Sequence, residues 1–298
     1  MKTSIKIVEF RGGLGNQMFS YAYCEYLRRK YPHSLICGFY PECLLSDHNG
    51  LEIDKCFHID MPPRLPWLDK LLYHISSIER LHFSSRGWHM PFVATDIHHE
   101  RWYDFFHEGL FQEPECYPVP GLHFDYRLER VTPRTAALAE KMKGENAVGI
   151  HVRRGDFLNA GDTFIGICTE AYYHAAMVYV KSRVEHPVFY FFSDDPDWVR
   201  TAFHEEGMTV VDWNTGTDSF LDMYLMSQCR ALVIANSTFS YWAAQNSLLH
   251  PLVCCPTRWN NISGDNTTLA PPGWVRISPE GEVMMPEGIS AASVGKEV

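Results

Sequence analysis

Apolar positions follow two different rhythms along the chain. Ile5 to Phe10 is a short β-branched run that reads as a strand. The glycine cluster Gly12-Gly13-Leu14-Gly15 follows it, and then an amphipathic stretch from Gln17 to Lys30 with helical spacing. Ser34 to Phe39 reads as the next strand, so the chain opens with a βαβ unit. The glycine loop then lies at the carboxyl end of the first strand, where open α/β sheets bind ligands. From Pro41 to Gly121 the rhythm is lost among prolines, histidines and aromatics, with one predicted helix from Leu68 to Leu81. That segment is either an insertion lining an acceptor cleft or an ordinary set of helices and loops completing the first domain, and no acceptor residue can be named in it.

The alternation returns with a helix from Pro133 to Lys143. Strands are predicted at Ala147–Val152, Val188–Ser193, Thr209–Asp212, Ala231–Ala235 and Leu252–Cys255, alternating with helices at Thr169–Val184, Pro196–Glu206, Ser219–Cys229 and Thr238–Leu248. Short strands joined by longer helices predict a parallel sheet with right-handed crossovers. Two domains follow, residues 1–130 and 131–298. The tail beyond Gly281, with few apolar anchors, is expected to fray.

Composition narrows the class. Of 298 residues, 46% are hydrophobic and 14% aromatic, enough for a sizeable core. The net charge of −10, without a Lys/Arg block, argues against nucleic acid as a partner. Any phosphate must be held by a few placed cations. Nine cysteines without a Cys-x-x-Cys pair suggest neither a disulfide scaffold nor a zinc ribbon. No secretory signal opens the chain and no apolar run reaches the roughly 18 residues of a membrane span. A cytoplasmic protein with reduced thiols is therefore expected, with at most peripheral contact with the inner membrane face. In that compartment the Asn-x-Ser/Thr matches at Asn236, Asn261 and Asn266 have no meaning as glycosylation sites.

Four stretches could carry chemistry. In His151-Val152-Arg153-Arg154-Gly155-Asp156, strand alternation puts Val148, Ile150 and Val152 on one face and His151 and Arg153 on the other. A guanidinium at the carboxyl end of a parallel strand, beside a glycine, suits bidentate contact with a diphosphate. The competing reading is a structural network of Arg153 and Arg154 with Asp156 and other carboxylates. Asn236-Ser237-Thr238-Phe239-Ser240 opens a helix after an apolar strand. Its free N–H groups make an anion site, although Ser237 equally suits an N-cap. Asp194-Asp195-Pro196-Asp197 contains an Asp-x-Asp, a metal chelator in some sugar transferases. Asp195 before proline fits a helix cap better, and no metal site is assigned. Asp222 lies near the start of an apolar helix, where a carboxylate ordinarily only favours the helix dipole.

Together Gly12-Gly13-Leu14-Gly15-Asn16-Gln17, His151-Val152-Arg153-Arg154-Gly155-Asp156, Phe192-Ser193-Asp194-Asp195 and Asn236-Ser237-Thr238-Phe239-Ser240-Tyr241-Trp242 resemble bacterial α-1,2-fucosyltransferases of glycosyltransferase family 11, over about residues 5–260. The resemblance implies an α/β fold of the glycosyltransferase-B type, with two Rossmann-like domains of parallel sheets facing a cleft. It also implies inverting, metal-independent transfer of fucose from GDP-fucose to the 2-hydroxyl of a terminal β-galactoside, with no cofactor. By motif position it assigns Arg153 to the β-phosphate. Asp222 and the region of His151 go to the guanine, and Ser237 and Thr238 to the diphosphate, with Arg154, Asn236 and Phe239 beside them. Asn16, with Gly13 and Gly15, would face the reaction centre from the first domain. Asp156 is the candidate base, with orientation of Arg153 or Arg154 as its other possible role. The acceptor would be a galactose-terminated oligosaccharide or a lipid-linked glycan. Two alternatives stay open: a fucosyltransferase of α-1,6 or α-1,3 linkage, and a non-catalytic GDP- or glycan-binding protein. A dinucleotide oxidoreductase is disfavoured, because the first loop lacks the Gly-x-Gly-x-x-Gly spacing.

Overall fold

A computed structural model describes residues 4–46, 49–83, 88–98, 100–113, 116, 119, 121–155, 161–262 and 269–284. The chain divides into two compact units, Met1–Arg127 and Leu128–Val298. Each is built on a parallel sheet. Among the described residues no helix is long and apolar enough to cross a membrane.

In the first unit, strands β1 (Ile5–Glu9), β2 (Leu35–Phe39), β3 (Val93–Ala94) and β4 (Phe106–His107) form a sheet in the order β2-β1-β4-β3. Every pairing is parallel. Ile7, Cys37, Phe39 and Phe106 close on Leu72 of helix α3 (Asp69–Ile78), because parallel strands bury both faces and need a helix over each. Helix α1 spans Leu14–Lys30, starting three residues earlier than the amphipathic pattern suggests. Its first turns are buried on nearly every side, from Leu14 to Cys24, so polarity alternation cannot mark the start. Helix α2 is the single turn Ile53–Cys56. The helix predicted from Leu68 to Leu81 is α3, which widens into a π turn over Glu79–Phe83. Strands β3 and β4, two residues each, carry too little pattern to be read from sequence, yet β4 lies beside β1 in the middle of the sheet.

The second unit runs α4 (Pro133–Lys143), β5 (Asn146–Val152), α5 (Glu170–Lys181), β6 (Pro187–Ser193), α6 (Pro196–Ala202), β7 (Thr209–Val211), α7 (Phe220–Ser227), β8 (Ala231–Val233), α8 (Thr238–Gln245), β9 (Leu252–Pro256), β10 (Val275–Ile277) and β11 (Val283–Met284). The sheet order is β11-β10-β9-β8-β5-β6-β7, parallel except for β11. Caps set the helix starts. Thr132 and Thr169 accept the N–H groups of Thr135 and Tyr172, and Pro133 supplies a preset φ at the first helical position. Val148, Ile150 and Val152 of β5 pack with Tyr172, Tyr173, Ala176 and Met177 of α5 in the main core.

Of the tail expected to fray, the residues described run only as far as Met284. Val283–Met284 pairs antiparallel with β10, and Gly281 lies against α5. A Cβ there would stand 3.0 Å from the Ala171 carbonyl oxygen, at a φ of +90°. That glycine marks close packing and a left-handed turn rather than a flexible end. Residues 285–298 lie outside the described residues.

Candidate functional site

Both sheets have a topological switch point. In the second unit the chain leaves β5 toward β6 and β7 on one side and returns through β8 toward β9 and β10 on the other. The loops after β5 and β8 therefore flank one crevice at the carboxyl ends of adjacent strands, where open α/β sheets hold ligands.

After β5, Arg153 and Arg154 turn toward the neighbouring β6 loop. The Arg153 Nε lies 3.2 Å from Asp194 Oδ2, and the Arg154 Nε lies 3.2 Å from Asp195 Oδ2. The Arg154 guanidinium also stacks over Trp198 at 4.0 Å. Asp194 does a second task, accepting the Arg154 backbone N–H at 2.8 Å. Gly155 makes that approach possible, since a Cβ there would come within 3.0 Å of Asp194 Oδ2. All four charged side chains keep 24–34% of their surface in water, so the pairs are held but not sealed. Asp195 is also the N-cap of α6, accepting the Trp198 N–H, and Asp197 pairs with Arg200 at 2.9 Å. Each carboxylate of the Asp-x-Asp stretch thus already serves a cation or a helix end. Among the described residues, no three His, Cys, Asp or Glu side chains gather as metal ligands. Asp156, the candidate base, lies outside the described residues.

Across the switch point, β8 leads through Asn236 and Ser237 into α8. Ser237 caps the helix, accepting the Phe239 N–H at 3.3 Å, and Ser237, Thr238 and Phe239 are all half-buried. The helix has no acid in its first turn, which leaves its positive end uncompensated. Asn236 is buried and points elsewhere, donating to the Trp259 carbonyl at 3.0 Å and receiving the Cys168 thiol. His151 joins the two sides of the crevice. Its Nδ1 lies 2.9 Å from Ser240 Oγ, its ring leans on Phe239, and its carbonyl accepts the Tyr173 hydroxyl. Burial, with the Arg153 charge second, holds the imidazole down at about 3, so it is neutral and works as a brace.

Asp222 is held apart from this group. Its Oδ1 accepts from Asn214 Nδ2 at 2.7 Å, Asn214 Oδ1 accepts from Thr135 at 2.8 Å, and the Trp213 indole donates to the same Thr135 hydroxyl at 2.9 Å. Desolvation pushes the Asp222 carboxyl up to about 8, against the pull of Asn214. Near neutrality it is therefore largely protonated, whereas an ordinary first-turn acid would be ionised.

In the first unit the switch point lies between β1 and β4. Gly12 adopts φ +68° and gives its N–H to the Leu44 carbonyl, and Gly13 caps α1 without a side chain. Gly15 is already inside the helix, buried, so the loop proper is Gly12-Gly13. Asn16 faces back over Gly12, where a Cβ would stand 2.6 Å from its Nδ2, and its Oδ1 accepts from Gln112 at 3.2 Å. Gln17 is fully buried and binds four backbone groups, the carbonyls of Gly12 and Gly50 and the N–H groups of Glu52 and Ile53. Beneath the loop, Arg11 bonds Glu9 and lies 3.1 Å from Glu108, while Arg80 lies 3.3 Å from Glu9 and 3.5 Å from Glu108. Burial, and next the Glu9 charge, pushes Glu108 up to about 7.

Sequence reasoning reached the arginines, the Asp195 cap and the α8 start. It missed what holds them. Asp194 stood in a motif without a role, although an acid on the adjacent strand, one residue past the strand end, was a readable partner. Asn214, Thr135, Ser240 and Gln112 carry no local signal, because their partners are distant in sequence.

Comparison with known proteins adds a second line. Glycosyl transferase family 11 matches residues 4–261. An Escherichia coli alpha-1,2-colitosyltransferase is 29% identical over 92% of this chain and 99% of its own length. The mouse galactoside 2-alpha-L-fucosyltransferase Sec1 is 27% identical over 80% of this chain and 63% of its own. Among solved structures, Arabidopsis thaliana FUT1 in complex with GDP is 13% identical, covering 91% of this chain and 75% of that one at a TM-score of 0.46.

Proposed function

The chain belongs to glycosyl transferase family 11, and from that membership we propose that it transfers fucose from GDP-fucose to the 2-hydroxyl of a terminal β-galactoside. The transfer inverts the anomeric carbon and uses no metal. In the structure, what supports a nucleotide-diphosphate donor is the pairing at the second unit's switch point. Two half-exposed arginines on one side and an uncompensated helix start on the other are braced together by His151 and Ser240. A diphosphate suits that combination, since its oxygens exchange readily with the carboxylates of Asp194 and Asp195 as partners of the two guanidinium groups.

Breaking the bond between the fucose anomeric carbon and the phosphate oxygen leaves positive charge on the sugar and negative charge on GDP. Arg153, kept in place by Asp194, stabilises the departing β-phosphate as charge develops, with Ser237, Thr238 and the α8 N–H groups beside it. The galactose 2-hydroxyl attacks from the opposite face and Asp156 takes its proton. Asp222 receives the guanine, and Asn16, fixed over Gly12 by Gln112, takes part in catalysis. The acceptor is a galactose-terminated oligosaccharide or lipid-linked glycan presented at the cytoplasmic face of a membrane.

A second donor is favoured by one specific observation, the alpha-1,2-colitosyltransferase relative. Colitose lacks the 3-hydroxyl of fucose, and a site built to bond a hydroxyl rejects a substrate without it by roughly 10⁴-fold or more. The deciding assay follows GDP release with lactose as acceptor, in excess chelator, for GDP-fucose and GDP-colitose in parallel, with NMR of the product. Acceptor-dependent release from GDP-fucose and an α-1,2 product are expected. Preference for GDP-colitose would replace the donor, and release only on adding a divalent ion would end the metal-free reading.

A further inference from the structure

The first unit carries an open surface pocket of about 350 Å³ at the carboxyl end of β2. It lies within the segment where the sequence named no acceptor residue. Its walls come from the turn after β2, with Tyr40 and Glu42, from Arg64, and from one side of α3, with Asp69, Tyr73 and His74. The volume falls in the range of small-ligand sites, about 300–1,000 Å³. We propose that this cavity holds a hexopyranose unit of the acceptor glycan, an inference that rests on the glycosyl-transfer reading above.

The lining has the chemistry for a neutral sugar. Tyr73 stands 45% exposed on α3, an aromatic face presented to the cavity region where core packing has no use for it. Tyr40 is fixed beside it. Its hydroxyl donates to the Pro62 carbonyl at 2.6 Å and its ring lies 4.9 Å from that of Phe10. Gly38 makes room for that ring, since a Cβ there would stand 2.1 Å from the Tyr40 hydroxyl. Aromatic rings cover the apolar C–H face of a pyranose, while its hydroxyls need donors and acceptors side by side. Arg64 and Asp69 supply both. The guanidinium reaches a single carboxylate oxygen, Oδ2, through Nε at 2.9 Å and through a second nitrogen at 2.5 Å. The other oxygen, Asp69 Oδ1, is shielded from water and has no hydrogen-bond partner among the described residues. A buried acceptor left in that state is costly, and a small turn of the carboxylate toward a sugar hydroxyl would satisfy it. Arg64 and Lys70 balance Glu42 and Asp69 in charge, which suits a neutral saccharide over a phosphate.

Position supports the same occupant. Phe39 of β2 pairs in register with Glu9 of β1, so the cavity opens beside the strand that feeds the glycine loop. The lining segment is tied to that loop directly, because the Gly12 N–H donates to Leu44 and the Phe10 N–H to Phe39. A sugar seated here is held in the same unit as Asn16.

The test uses lactose as the probe in two measurements on the full chain. Saturation-transfer NMR reads lactose binding without any turnover. Wild-type protein is expected to give a lactose signal that is absent in Tyr73→Ala and Asp69→Asn. Steady-state kinetics should show the lactose KM raised about tenfold in Tyr73→Ala, the scale of one missing aromatic face, with the donor KM unchanged. Tyr73 and Asp69 are both partly exposed, so the variants should fold, and circular dichroism checks that. Absence of a lactose signal in the wild type, or an equal signal and equal lactose KM in both variants, overturns the cavity assignment while leaving fucosyl transfer intact. A lactose signal that disappears in the variants, from a protein that transfers nothing from GDP-fucose, upholds the cavity and sinks the donor assignment instead.

Discussion

The two units end a central parallel strand in the same way, with arginine followed by glycine, and then treat the arginine differently. After β1, Arg11 enters a ring of four ionisable side chains in which Glu9 and Glu108 are buried and Arg80 closes the other side. After β5, Arg153 and Arg154 each meet one aspartate from the next strand, with every partner about a quarter to a third exposed. A carboxylate taken out of water needs its cation permanently, whereas a half-solvated one can give it up to an incoming phosphate at little cost. One switch point therefore holds its loop through buried charges, while the other leaves its ion pairs within reach of water, as the proposed diphosphate contact requires. The same residue pair in sequence does opposite work because of what the neighbouring strand supplies.

The largest way to break this contrast is Glu9→Gln. Ser76 donates to the Glu9 carboxylate at 2.6 Å, and losing the charge leaves Arg11 and Arg80 sharing Glu108 alone. The expected cost is about 3 kcal/mol of stability, the lower end of the range for breaking a buried pair, since both guanidinium groups keep some water. Chemical denaturation reads it directly. GDP affinity should stay within about twofold if the second unit holds the donor. A loss of GDP binding with unchanged stability would reverse the division of labour.

Next in size is Arg153→Ala. The pair it leaves is half-exposed, so stability should move by about 1 kcal/mol or less, while kcat falls by about 10²-fold or more, the scale of one preorganised charge at a leaving group. The opposite pattern, large destabilisation with a near-normal rate, would make Arg153 a structural residue like Arg11.

These contrasts were only partly visible in the sequence. The alternation of Val148, Ile150 and Val152 against His151 gave the right faces for β5, because a strand buried by helices still keeps its period of two. The proline after Asp195 marked a helix start for a local reason, and local reasons survive folding. Glu108 could not be read as a partner of Arg11. It follows a two-residue strand, and ninety-seven positions of chain, far beyond any local pattern, bring it back to β1. Asn16 and Gln112 meet by the same return. The glycine run misplaced the start of α1, since Gly13 caps the helix and Gly15 is inside it. The Ser240 partner of His151 lies eighty-nine positions away and gave no local signal. Gly281, where the tail was expected to begin to fray, is a packing contact with α5.

The smallest effect sharpens the comparison within the second unit itself, between the carboxylates paired with the arginines and the desolvated one at Asp222. A carboxyl raised to about 8 binds its proton more tightly in the folded chain than in the unfolded one. Folding stability from this group is thus present at low pH and declines as pH climbs from about 4 toward 8. In the absence of nucleotide, Asp222→Asn should therefore gain stability relative to wild type at pH 8 and above. Guanine presents two N–H donors on one edge, which an ionised carboxylate accepts and a protonated one cannot fully. If Asp222 receives that edge, binding must release its proton, and GDP affinity rises with pH by at most about tenfold per unit below 8. Calorimetry of GDP between pH 6.5 and 8, on wild type and Asp222→Asn side by side, cancels the titration of the phosphate itself. The wild-type affinity should climb relative to the variant across that window, and its observed binding enthalpy should vary with buffer ionisation heat, the slope giving the protons released. Parallel curves for the two proteins would remove the guanine from Asp222 and leave the Asn214–Thr135–Trp213 chain as a structural tie between the segment after β7 and α4.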